Sequence, residues 1–451
     1  MTISYNWLQE YLPVTIEPER LSIILTSIGL EVESAEQYES IRGGLRGLII
    51  GEVKEKEKHP NADKLSVTRV DTGTGELLQI VCGAPNVAAG QKVIVAPIGV
   101  TIHPASGDPM TMKAAKIRGV ESQGMICAAD EIGIGDDHSG IHVMPADVTV
   151  GTPASKYFTT YSDYIYEIGL TPNRMDAMSH LGVARDVCAY LSHHDRMELK
   201  VKQPNANAFR AGKQAGGVTV SIENNTACQR YAGLTIRNIT VKESPEWLQQ
   251  KLRAIGQRPI NNIVDITNFI LHETGQPLHA FDLEAVQGNV IVTNLAEGTP
   301  FITLDGKERK LNAADLMICN ASREPMCIAG VFGGANSGVK TGTTNIFLES
   351  AWFNPIDIRK TSFKHGLRTD AATRFEKNID ISNTVNVLKR AALLVTELAG
   401  GEVTGDVTDV YPHPKNKTEI TVKYHYLKKL SGKTTIPIPS GKSLFHLVLK
   451  W

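Results

Sequence analysis

No two of the six cysteines (Cys82, Cys127, Cys188, Cys228, Cys319 and Cys327) form a CxxC pair, which argues against a zinc site or a disulfide framework and fits a reducing compartment. No apolar run approaches the length of a membrane helix, and the opening MTISYNWLQEYLP lacks the basic stretch and apolar run of a secretory leader. The chain therefore reads as cytoplasmic, with no membrane partner. An excess of one charge is missing too: 47 Lys and Arg stand against 48 Asp and Glu, a formal net charge of -1. A nucleic-acid partner, if there is one, must be held by local patches rather than by a global basic field. There is no GxGxxG, no Walker loop and no triad-like spacing, which removes the commonest nucleotide-binding and hydrolase signatures.

What is present is 451 residues, enough for about three domains. Leu21, Ile24, Leu25 and Ile28 recur at helical spacing before Gly29, then EVES turns polar and GGLRG marks a linker. From Leu48 to about Val150, short β-like runs (LIIGEV, LSVTRVDTG, LLQIVCG, QKVIVAPIG) alternate with Gly and Pro. That texture predicts an OB-like barrel, a fold that often binds oligonucleotides. Residues 151–200 read as helical, with Ser179 as the cap of a helix lined by Leu181, Ala184, Val187, Cys188 and Leu191. KQPNANAFRAGKQAGG lies within a linker over 201–217. A mixed α/β region follows to about Gly400, with helix starts predicted at Ser244-Pro245 and Asn354-Pro355 and a helix over Val385–Ala399. The tail opens a new segment at ITVKYHYLKKLSGK and ends after TTIPIPSGKSLFHLVLKW, as though inside a further domain.

Three pieces, HPNADKLSVTRVDTG, IVCGAPNV and AAKIRGVESQGMICAADEIGI, occur in order within residues 59–134. They resemble the tRNA-binding OB module of synthetase-associated proteins. Lys64 and Arg69 are the phosphate-binding candidates, Asn61 and Asp63 suit a turn, and Gly124 would allow close backbone approach. Against strong binding, residues 41–150 hold 11 Lys and Arg, 13 Asp and Glu and no Phe, Tyr or Trp to stack on bases. The alternative is a scaffold barrel with a weak tRNA contact. In TPNRMDAMSHLGVARD, Arg174, Asp176 and Arg185 read as ion pairs between a loop and its helix rather than as an anion site.

Five further segments, GQRPINNIVDITNF, GQPLHAFD, CIAGVFGGANSGV, NIFLESAWF and HGLRTDAATRFEKNID, follow in order over 256–380. With the barrel motifs they resemble the beta subunit of bacterial phenylalanyl-tRNA synthetases, over residues 1 to about 432. The resemblance implies an α+β multidomain chain: an OB-fold barrel (40–150) inserted in a split N-terminal domain (1–39 and 151–200), then an α/β editing domain (218–400), then the start of a truncated further domain (401–451). The implied activity is hydrolysis of tyrosine wrongly esterified to phenylalanine tRNA. Phenylalanine and tyrosine differ by one hydroxyl, which an apolar synthetic pocket rejects poorly. A second site can choose tyrosine by presenting a buried acceptor to the phenol, left unpaired by phenylalanine at a cost of about 1–3 kcal/mol.

On that resemblance Glu349 accepts the phenol, and His279 orients or deprotonates the water or contacts the terminal ribose. Thr267 and Asn268 hold the substrate's amine and carbonyl, Gly333 and Gly334 let backbone N–H groups approach it, and Thr369 and Ala371 line the wall. His279, Glu349 and Asn268 are the catalytic candidates. The plainer readings are a structural histidine after Pro, a tight Gly-Gly turn, and Asp282 and Asp370 as turn anchors. His272 and His279 have no third ligand in view, so no metal is expected. The family implies an alpha subunit in an alpha2beta2 assembly, with ATP, Mg and phenylalanine handled outside this chain, and it implies no cofactor within the chain and no aminoacylation by the chain alone. The rival function is a non-catalytic tRNA-docking and subunit-assembly module.

Overall fold

The computed structural model describes residues 1–213, 216–421 and 423–432; the TTIPIPSGKSLFHLVLKW tail and two residues of the expected linker lie outside the described residues. The chain forms two compact units, Gln37–Asp163 and a second made of Met1–Glu36 with the chain from Tyr164 onward.

Strand β1 (Thr2–Ser4) runs into helix α1 (Tyr5–Gln9), which Ser4 caps by accepting from the Trp7 N–H. Helix α2 (Pro18–Ser27) takes Pro in its first turn and buries Leu21, Ile24 and Leu25. The polar stretch beyond it is strand β2 (Glu31–Glu39), not the approach to a linker. Val32 and Ser34 are half-buried between exposed neighbours, a period of two that a count of apolar residues overlooks.

Within Gln37–Asp163, strands β3 (Ile49–Lys58), β4 (Ser66–Asp71), β5 (Leu77–Cys82), β6 (Lys92–Pro97) and β7 (Gly124–Ile126) form an antiparallel sheet ordered β7–β6–β3–β4–β5. The Gln123 N–H donates to the Gln79 carbonyl at 2.8 Å beside the two outer strands, so the sheet curls into a nearly closed barrel. Alternation sends Ile50, Ile94 and Ala96 into one core cluster and Val53, Val93 and Val95 into another. Gly124 is needed for this pairing: a Cβ there would lie 2.7 Å from the Ala96 carbonyl oxygen of β6. The ends of the unit meet, with the Ser40 N–H donating to the Tyr161 carbonyl at 2.8 Å.

Residues 162–169 form strand β8 (Ser162–Gly169), placed between β1 and β2, where the sequence suggested helix; Tyr164, Tyr166 and Ile168 alternate toward the core, and Asp163 is buried on the other face. Helix α3 (His180–His194) starts where predicted, Ser179 accepting from the Gly182 N–H at 3.0 Å. The α/β region then lays down β9 (Thr219–Ile222), β10 (Cys228–Arg237), α4 (Glu246–Ala254), α5 (Asn262–Thr274), β11 (Leu278–Asp282), β12 (Asn289–Asn294), β13 (Leu316–Cys319) and β14 (Pro325–Ile328). It continues with β15 (Phe332–Gly333), β16 (Asn345–Phe353), α6 (Pro355–His365), α7 (Asp370–Glu376), α8 (Thr384–Ala399) and β17 (Glu402–Val410). Asn261 caps α5 by accepting from two N–H groups, and Gly275, at φ +81°, ends it. Asn354 and Pro355 start α6 as expected. Ser244 does not cap α4: Pro245 holds the cap position, and the Ser244 hydroxyl donates to buried Asp265 at 2.5 Å.

These strands make two sheets, β11–β16–β10–β17 and β9–β12–β13–β14–β15. The first has two distinct faces. Leu234, Ile236, Ala280, Ile346 and Leu348 share a core with α5 and α8, whereas Tyr231, Phe281, Phe347 and Ala351 share one with the second sheet. The strands thus have helices on one side and a sheet on the other, and both faces are buried.

Candidate functional site

Glu349 stands on β16 among residues that face the second sheet. In register it lies directly opposite His279 of β11 on one side and Gly233 of β10 on the other. Directly opposed residues in an antiparallel pair project to the same face, so the histidine and the carboxyl are neighbours. Glu349 is 5% exposed, and burial drives its pKa up to about 8, partly offset by a hydrogen bond from the Tyr231 hydroxyl to Oε2 at 2.9 Å. No donor among the described residues reaches Oε1.

His279 is half-buried, its ring edge-on to Phe281 with centroids 4.4 Å apart. Its Nε2 is enclosed and has no hydrogen-bond partner among the described residues. Burial lowers its pKa to about 4, so the ring is neutral at physiological pH. Gly333 backs directly onto it: a Cβ there would sit 3.1 Å from His279 Cε1 and 2.8 Å from Leu304 Cδ1. Leu304, more than half exposed, gives the site an apolar rim, and its N–H donates to the Gly333 carbonyl at 3.0 Å. Two polar atoms without partners, an apolar edge and a glycine wall thus meet on one sheet face.

The other candidates are placed less openly. Gly334 cannot offer its N–H to a ligand, because that group donates to the Met326 carbonyl at 2.8 Å. The Thr369 hydroxyl is engaged twice, donating to Val331 and accepting from the Ala372 N–H, both at 3.0 Å; it fastens α7 to the segment before Gly333. Ala371 is half-buried against the core that contains Phe281 and Phe347. On α5 the Thr267 hydroxyl donates to the Val264 carbonyl of its own helix at 2.7 Å. Asn268 is half-buried, and its side chain has no hydrogen-bond partner among the described residues. No hydrogen bond joins Thr267 or Asn268 to His279 or Glu349. Asp282 is a turn anchor, accepting from the Glu284 N–H, and Asp370 pairs with Arg374 at 3.0 Å.

Tyr231 and Leu304 were not legible as site residues. Tyr231 reads as one more alternating position in CQRYAGLTIR, and nothing nearby signals a carboxylate 118 residues away. Leu304 sits in an ordinary turn, ITLDGK.

In the barrel unit Lys64 and Arg69 are exposed, and neither side chain forms an ion pair or hydrogen bond among the described residues. Asp63 pairs with Lys58 at 2.7 Å, and the Asn61 amide donates to the Arg118 carbonyl at 3.0 Å, as turn residues would. A cavity of about 1090 Å³ in this unit is lined by Cys82, Pro85, Met112, Ser122, Glu131 and His138 among others; neither Lys64 nor Arg69 borders it. Elsewhere Arg174 pairs with Asp176 at 3.0 Å and with Asp186 on α3, the loop-to-helix tie expected there, though Arg185 takes no part through Nε. Among the described residues no group of three or more His, Cys, Asp or Glu is placed to hold a metal, and no helix is long and apolar enough to cross a membrane.

Residues 48–153 match the family described as "Putative tRNA binding domain", and residues 227–400 match the B3/4 domain family. Matches to a putative tRNA-binding domain and to a B3/4 domain on one mixed α/β chain point to the class of aminoacyl-tRNA synthetase components. The chain is 52% identical to the phenylalanine–tRNA ligase beta subunit of Bacteroides thetaiotaomicron over 446 residues, 98% of this chain and 54% of that one. It is 53% identical to the same subunit of Porphyromonas gingivalis over 439 residues, 97% of this chain and 53% of that one. The chain belongs to the phenylalanine–tRNA ligase beta subunit family. It spans about half the length of the curated relatives it matches. A solved N-terminal fragment of the phenylalanyl-tRNA synthetase beta-subunit from Pyrococcus horikoshii aligns over 64% of this chain and 77% of that one, at 14% identity and a TM-score of 0.29, too slight a likeness to argue from.

Proposed function

We propose that the chain is the tRNA-contacting and proofreading part of a phenylalanine–tRNA ligase, hydrolysing tyrosyl esters of the phenylalanine tRNA at the His279–Glu349 site. The observation that carries this reading is the pair of partnerless polar atoms, Glu349 Oε1 and His279 Nε2, on directly opposed residues. A tyrosine phenol can hydrogen-bond Oε1; phenylalanine would leave it bare at a cost of about 1–3 kcal/mol. A histidine held near 4 is a weak base at neutral pH yet a good acceptor, so His279 orients the attacking water or a ribose hydroxyl rather than fully deprotonating it. Leu304 receives the ring of the substrate.

In this reading the inserted barrel, with the OB fold, brings Lys64 and Arg69 to tRNA phosphates, and the flanking N-terminal halves and the B3/4 region form the remaining domains. The assembled enzyme is a cytoplasmic alpha2beta2 ligase in which ATP, Mg and phenylalanine are bound outside this chain, so the chain alone does not aminoacylate. The test is incubation of tyrosyl-tRNA with the chain and with Glu349→Ala and His279→Ala. Hydrolysis well above buffer, lost in both variants, is expected. A rate no faster than buffer for the unmodified chain would leave it a docking and assembly module.

A further inference from the structure

We propose that Tyr231 is a positioning residue that sets the phenol preference of the Glu349 site, by donating to Oε2 and leaving Oε1 as the single polar atom offered to a ligand. The inference rests on the hydrolytic reading above and adds to it the residue that orients the acceptor. Tyr231 is fully buried on β10, and its hydroxyl reaches Glu349 Oε2 at 2.9 Å. The approach is diagonal across the sheet, since Tyr231 is paired with Ala351 and Glu349 with Gly233. Gly233 contributes no side chain to the intervening place, and Phe347 fills it: a Cβ on Gly233 would lie 2.0 Å from Phe347 Cζ. With Phe347 packed there and Tyr231 bonded to one oxygen, the carboxyl is restrained in both position and plane.

A carboxyl free to rotate would present either oxygen, and water or a second donor could satisfy it without a tyrosine substrate. Held by Tyr231, it has one open valence, matched by one hydroxyl. The titratable groups facing it are Tyr231 and Cys228 of β10, Cys327 of β14 and His279 of β11. Burial raises both thiols and the phenol and lowers the histidine, so all four are neutral near pH 7. Tyr231 is the sole hydrogen-bond donor to the carboxyl among the described residues, and its bond favours the ionised form.

The experiment compares the full chain with Tyr231→Phe, measuring hydrolysis of tyrosyl- and phenylalanyl-tRNA alongside ¹³C NMR titration of the Glu349 carboxyl, assigned with Glu349→Gln. Tyr231→Phe keeps the packed ring. It is expected to raise KM for the tyrosyl ester about tenfold, the effect of one lost buried hydrogen bond, and to leave the phenylalanyl reaction unchanged. The Glu349 midpoint moves upward. Glu349→Asp, which withdraws the carboxyl from an intact Tyr231, should lower the tyrosyl-to-phenylalanyl ratio likewise and serves if Tyr231→Phe does not fold. An unchanged ratio, or an unmoved Glu349 midpoint, overturns the proposal; the midpoint decides alone if neither ester turns over. If instead Glu349→Gln hydrolyses the tyrosyl ester as the unmodified chain does, the hydrolytic reading itself fails.

Discussion

A carboxyl and an imidazole that both prefer their neutral forms are costly to charge, and that cost appears in stability as well as chemistry. Glu349 folds with its pKa raised to about 8, so the native state binds its proton more tightly than the unfolded chain. Its contribution is fully present below the ordinary carboxylate value and is lost as pH climbs from about 4.3 to about 8. His279 is the mirror case. Lowered to about 4, it contributes fully above about 6.5 and loses that contribution as pH falls toward 4. Glu349→Gln should therefore gain on the unmodified chain by a few kcal/mol between pH 5 and pH 8.5, and His279→Gln should show a flatter acid limb between pH 7 and pH 4.5, each on the order of magnitude of its shift. Urea denaturation at those pH values checks both; parallel curves would remove the buried-charge account.

Among the elements, those defined by local signals were the readable ones. Ser179 and Asn354 cap helices because a short polar side chain before an apolar face satisfies the first N–H groups, a relation complete within a few residues. Ser244 has the same local signature, yet its hydroxyl turns to Asp265, a partner 21 residues away that no local rule reveals. β2 was missed because its inward positions include Ser34, a polar residue that blurs the two-residue period, and β8 because Ile165 on its other face hides the period of Tyr164, Tyr166 and Ile168. His279 and Glu349 were named from ordered motifs, but their opposition across β11 and β16 is a matter of register, set by pairing between distant segments. Tyr231 was invisible for the same reason. The first sheet also yields a prediction of its own. Gly233→Ala would drive a methyl into fully buried Phe347, an overpacking that should cost about 1–3 kcal/mol. Thermal denaturation reads this directly, and a variant as stable as the parent would mean that Phe347 has somewhere else to go.

For the whole molecule, the organisation into two compact units makes separability the natural question. Gln37–Asp163 has its own core clusters, a nearly closed sheet, and ends tied by the Ser40–Tyr161 hydrogen bond. A unit whose ends meet can be cut out with little chain left dangling. Residues 37–163 expressed alone should unfold cooperatively in urea with the far-UV spectrum of a β barrel, whereas a broad, non-cooperative transition would show that the unit depends on the rest of the chain. The sequence pointed to a barrel over 40–150 through the motifs of 59–134 and the Gly- and Pro-punctuated strands around them, and the compact unit runs from Gln37 to Asp163.

The alternation along β16 has one more consequence. Ile346, Leu348 and Ser350 face the helices, while Phe347, Glu349 and Ala351 face the second sheet, so the strand behaves like a message with a reading frame of two. Substitution at a helix-facing position is a spelling change confined to packing. Deletion of one residue between Asn345 and Leu348 is a frameshift: it would turn Glu349 toward α5 and α8 and put Ser350 opposite His279.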